Sequence, residues 1–103
     1  MITALVQFKL PEPLPGDVAR DLFLESAPNF RKVPGLLRKY FLLSDDGLTA
    51  GGVYLWESRE QAELMYTREW LDHLQERFGS APTVTWFKSP VVVDNISAEV
   101  ISS

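Results

Sequence analysis

No cysteine occurs in the 103 residues, and histidine occurs once. The first absence excludes disulfide frameworks and thiolate metal or redox centres, and the second excludes sites built from several imidazoles. Lys and Arg never gather into a run and the formal charge is -4, so the chain lacks the basic footprint that a phosphate backbone requires. No stretch approaches the roughly 18 apolar residues that span a membrane. The opening "MITALVQFKLPEP" places no charged segment before its apolar residues. A cytoplasmic protein with no nucleic-acid and no membrane partner is expected. There is no glycine-rich phosphate loop ahead of a helix, and Asp45 and Asp46 belong to a turn, so neither a nucleotide nor a metal cofactor is expected.

What the chain does have is 46% apolar and 23% charged residues, the balance of one globular domain with a single core. "TALVQFKL" reads as a strand, and the three prolines of "PEPLPG" end it. A helix capped by Asp17 should follow, with Val18, Leu22, Phe23, Phe30 and Val33 on one arc and a kink at Pro28. Two apolar runs around Asp46-Gly47 predict a hairpin. Ser58 and Gln61 form a capping box that opens a second helix, continuous to Phe78 and stopped by Gly79. "TVTWFKSPVVVDN" is a last strand, and its Pro90 fits only an edge or a bulge. Strand, helix, hairpin, helix, strand is the ferredoxin-like βαββαβ pattern of an α+β fold with an antiparallel sheet.

Residues 1–94 make this single domain, and 95–103 form a tail that is disordered or laid across a partner. On the first hairpin strand Leu36, Tyr40 and Leu42 point one way and Leu37, Phe41 and Leu43 the other, so both faces are apolar. Two helices cover only one face. The other predicts a homodimer assembled sheet against sheet.

Candidate site residues come from the second helix. At about 100° per residue from Ala62, His73 falls near 20°, Tyr66 near 40° and Trp70 near 80°, a stripe that either packs in a core or lines a pocket. Asn29, after Pro28, faces inward by the same count, as a ligand group or as a partner for backbone freed by the proline. Tyr40, Trp56 and Trp86 stand on strands where they would floor or wall such a pocket. Arg38 and Lys39, adjacent in a strand, point to opposite faces. Gly51-Gly52 inside a strand marks a bulge or a close approach.

The stretch "VPGLLRKYFLLSDDGLTAGGVYLWESREQAE" resembles the YdhR-like monooxygenases, a branch of the antibiotic biosynthesis monooxygenase superfamily with a dimeric α+β barrel. "PGLLRKYF" and "GGVYLWES" are its most specific parts, with "ESAPNFRKVPG" before them, and the likeness runs from Thr3 to Asp94. The resemblance implies a small, electron-rich, hydroquinone-like aromatic whose ionised form passes an electron to O2 without flavin or metal. It implies His73 as base and Asn29, Tyr66, Trp70 or Trp86 as donors to the oxyanion. Haem-degrading relatives carry an asparagine on the first strand and a tryptophan and histidine on the second helix; Gln7, Met65 and Gln75 stand at those positions. The alternative is a dimeric module that binds a small aromatic molecule without transforming it.

Overall fold

In the computed structural model, which describes residues 1–103, the first strand is β1, Ile2–Lys9. Ala4, Val6 and Phe8 are buried on one side of it, the period-two pattern of a sheet with one covered face. The prolines that follow lead into α1, Gly16–Ser26. Pro15, rather than Asp17, occupies the N-cap, and Asp17 lies in the first turn. The prolines fix an extended entry, which leaves the carboxylate to act on the positive end of the helix.

Pro28 was expected to kink a longer helix and instead ends it. Ala27–Phe30 winds into a 3-10 turn with Pro28 near its start, and the Arg31 N–H closes it on the Pro28 carbonyl at 3.3 Å. The tighter winding suits a residue that has no N–H to give.

β2, Leu36–Leu43, and β3, Thr49–Trp56, form the predicted hairpin. In its loop the Asp46 carboxylate accepts the Ser44 hydroxyl at 2.7 Å and the Leu48 N–H at 3.0 Å. Those bonds, the serine first, hold its pKa below the usual value. The sheet runs β2-β3-β1-β4, with β4 spanning Thr83–Lys88 at the far edge and every pairing antiparallel. This is the ferredoxin-like α+β order.

Two expectations fail within it for local reasons. A register shift between Leu36 and Arg38 leaves Leu37 as an extra residue, so Leu36 pairs with Trp56 and packs on the core instead of sharing Tyr40's face. The second helix is two: α2, Arg59–Met65, and α3, Arg68–Phe78. Ser58 Oγ accepts the Gln61 N–H at 3.2 Å, as the capping box predicts. Tyr66 then leaves helical geometry, and Thr67 caps afresh by accepting the Trp70 N–H at 3.2 Å. Gly79, at φ 83°, terminates α3.

The last strand also divides. Pro90 lies between β4 and β5, Val91–Asp94, not within a strand. Beyond residue 94, Glu99–Ser102 forms β6 and pairs with β5. Asp94 makes the turn by accepting the Ile96 and Ser97 N–H groups at 2.9 and 3.2 Å. Its other oxygen bonds Arg38 on β2, so the hairpin that leaves β4 at one sheet edge is clasped to the opposite edge. Ser103 joins this end by bonding the N-terminal amine at 2.8 Å.

Only 12 of 103 residues are buried, centred on Ala4, Val6, Tyr54, Trp56 and Ala62. The reason for so small a core is the uncovered sheet face. It carries Leu5, Tyr40, Leu42, Val53, Leu55 and Phe87, opposite in phase to the helix-facing residues of each strand, with Tyr40 54% and Phe87 53% exposed. No helix is long and apolar enough to cross a membrane.

Candidate active site

α3 supplies one wall of a cavity of about 190 Å³. Trp70, His73, Leu74, Arg77 and Phe78 face it, the i, i+3, i+4, i+7, i+8 stripe of an amphipathic helix. The sheet supplies the floor: Val6 and Phe8 from β1, Lys39 and Phe41 from β2, and Gly51, Gly52 and Tyr54 from β3. Phe23 and Ser26 of α1, with Asn29 and Phe30 of the 3-10 turn, close the third side. Aromatic contacts make these walls firm. Phe8 stacks on Phe78 at 4.4 Å between ring centres, and Phe23 stacks on Phe41 at 5.0 Å.

The two central glycines are explained by close approach, with no bulge at their position. A Cβ on Gly51 would stand 1.9 Å from the Val6 carbonyl oxygen. One on Gly52 would come within 3.2 Å of Lys39 Cε and 3.1 Å of the Tyr54 ring. Gly52 thereby leaves room for the lysine at the pocket floor.

Asn29, Trp70 and His73 of the residues singled out from the sequence line this cavity. His73 is not at the centre of an inward stripe but exposed at the rim, because the break at Tyr66-Thr67 resets the phase of the helix. Asn29 is likewise exposed. Trp56, Tyr66 and Trp86 form a cluster beside the cavity: the Trp56 indole N–H donates to the Tyr66 hydroxyl at 3.0 Å, and the Tyr66 and Trp86 ring centres lie 5.6 Å apart. Arg59 lies 4.4 Å over the Trp86 ring. Tyr40 projects from the uncovered face and is not brought to this pocket, since its neighbours Lys39 and Phe41 take the inward positions.

Electrostatics divide the lining groups. Burial first, and then the neighbouring Tyr66, push the Tyr54 phenol well above its ordinary pKa. Burial also raises that of Tyr66, with the Trp56 bond opposing. Both stay protonated through the neutral range. Lys39 is the residue whose weight the sequence hid. Its Nζ lies 3.3 Å over the Phe30 ring, 3.9 Å over Phe41 and 4.6 Å over Tyr54, and burial lowers its pKa to about 7. The alternation of β2 sets Lys39 inward and Arg38 outward, but the aromatic surroundings come from three separate elements, which spacing along one strand does not reveal. No three His, Asp or Glu side chains gather as a metal site would need.

Such a pocket can hold one aromatic molecule between apolar walls and meet its polar edge with an amide, an amine, an indole and an imidazole. A solved structure with a similar fold is the crystal structure of a monooxygenase from the gene ActVA-Orf6 of Streptomyces coelicolor in complex with nanaomycin D. It is 20% identical, with a TM-score of 0.63 over 85% of this chain and 86% of that one. No curated protein matches. A family model described as "Putative mono-oxygenase ydhR" matches residues 4–87. That match runs from within β1 to within β4 and takes in all three helices, and the chain belongs to the ydhR mono-oxygenase family.

Proposed function

We propose that the chain is a cofactor-independent monooxygenase acting on a small, electron-rich, hydroquinone-like phenol. The observation that carries this reading is the aromatic-walled cavity between α3 and the sheet, whose polar groups include Asn29, Lys39, Trp70 and His73. A dry apolar cavity of about 150 Å³ accepts a benzene ring, so about 190 Å³ suits one substituted ring. The ActVA-Orf6 monooxygenase, of similar fold, likewise holds a ligand, nanaomycin D.

In this reading the phenol loses its proton, and His73 at the rim passes that proton to water. The phenolate gives one electron to O2, and the two radicals join at a ring carbon. The resulting peroxide loses water to leave a quinone, so that phenol and O2 become quinone and H2O. Asn29 and Trp70 donate hydrogen bonds to the ring oxygen. Oxygen uptake by the metal-stripped protein with a panel of hydroquinones and anthrone-like phenols tests this. The expected result is protein-dependent uptake that falls in His73→Ala. No uptake with any of them, together with quenching of tryptophan fluorescence by the same compounds, would replace the reading with that of a binding module.

The reading includes a homodimer, in which a second copy covers Leu5, Tyr40, Leu42, Val53, Leu55 and Phe87. An apolar sheet face of this extent is unusual on a lone domain, and twofold pairing of like faces is the simplest cover. Sedimentation equilibrium should give twice the mass of one chain, and Phe87→Lys should return it to one. A monomeric wild-type protein at micromolar concentration would refute the pairing.

A further inference from the structure

We propose that Lys39 is the counter-ion of the pocket: the bound aromatic carries an ionised oxygen, and the Lys39 Nζ holds it. This rests on the reading of the cavity as a phenol site. The chain has a formal charge of -4, yet the charged side chains lining the cavity are Lys39 and Arg77, with His73 beside them and no carboxylate among them. The ion pairs of the molecule are Arg38 with Asp94, Arg59 with Glu63 and Arg68 with Asp72. Lys39 is in none of them. Three aromatic faces surround its Nζ, and they attract a cation without neutralising it. An anion entering the cavity meets a positive group already positioned and already stripped of much of its water.

The groups facing Lys39 from the elements around it reinforce this. Tyr54 on β3 stays protonated, and His73 and Arg77 on α3 line the same space. Arg31 and Arg38 line the adjoining cleft that Lys39 also borders. None of these is an acid that would compete for the ammonium. With its pKa lowered to about 7, the amine is partly unprotonated at neutrality. A phenol arriving at the amine transfers its O–H proton to Nζ, giving a phenolate and an ammonium with no other reactant. Where Nζ is already protonated, the phenol proton leaves by way of His73 and water.

Binding of 4-nitrophenol and of its methyl ether, 4-nitroanisole, separates this from simple apolar capture, since only the first can ionise. At pH 6.5 the wild-type protein should bind the phenol at least about tenfold more tightly than the ether. The phenolate absorbance of the bound dye should also exceed that of the free dye at the same pH. Lys39→Met should bind both alike, and Lys39→Arg should restore the preference. Equal binding of the two by the wild-type protein, or no added ionisation of the bound phenol, overturns the proposal without any variant having to fold. A preference that persists in Lys39→Met overturns it too. Oxygen uptake distinguishes this from the reading beneath it. A lysine-dependent preference without uptake leaves Lys39 as counter-ion and removes the monooxygenase; uptake without the preference does the reverse.

Discussion

Trp56→Ala is expected to remove about 4 kcal/mol of stability, near the middle of the range for deleting a buried aromatic. The Trp56 side chain is fully buried. It lies between Tyr54, with ring centres 6.3 Å apart, and Tyr66, at 5.7 Å. Leu36 and Trp86 also pack against this cluster. Truncation opens a void among rigid rings that cannot collapse into it, and it takes the indole donor from the Tyr66 hydroxyl. A domain of this size has about 5–15 kcal/mol in all, and a core of so few residues spreads the loss over little else. Urea unfolding followed by far-ultraviolet circular dichroism measures it. A loss under about 1.5 kcal/mol would mean that the aromatic cluster does not hold the sheet to α2.

Lys39→Met should make the protein more stable below pH 7, by on the order of 2 kcal/mol once the attraction of the rings is set against the cost of burying an ammonium. The native pKa of Lys39, about 7, is below its ordinary 10.5. Under pH 7 both native and unfolded chains hold the proton, and the wild-type protein bears the whole cost. Between about 7 and 10.5 the unfolded chain holds a proton that the native one has released, so wild-type stability rises with pH. Above 10.5 both are neutral and the cost is gone. The advantage of the methionine should therefore shrink across that window. Unfolding midpoints at pH 6, 8 and 10 decide it; an advantage that does not change with pH would mean that Lys39 is charged throughout.

The order of elements was legible in the sequence because it is written in period-two and period-3.6 repeats and in turn chemistry that acts over a few residues. Asp46-Gly47, Ser58-Gln61 and Gly79 each do locally what they do in isolation. The break at Tyr66-Thr67 was hidden because apolar residues keep helical spacing across it, although Thr67 with Glu69 in the next turn is an N-terminal signal in its own right. That one break moved His73 from the imagined centre of the stripe to the rim. Leu36 went astray with the bulge at Leu37, which no spacing announces, and Tyr40 because both faces of β2 are apolar and spacing does not tell which one the helices cover. The aromatic surroundings of Lys39 were beyond reach for a different reason: Phe30, Phe41 and Tyr54 lie on three elements and meet only when the sheet is assembled.

The strand order carries a consequence for how the chain comes to be folded. β1 is the first strand to be made, yet it sits between β3 and β4, and the Thr3 hydroxyl bonds that of Ser89, 86 positions further on. Within the four-stranded sheet the β2-β3 hairpin is the only pairing between neighbours in sequence. Everything from β1 through β4 must therefore leave the ribosome before β1 has both neighbours. Until then β1, rich in valine, leucine and phenylalanine, presents an open edge, and synthesis is the period in which this protein most needs protection from its own copies.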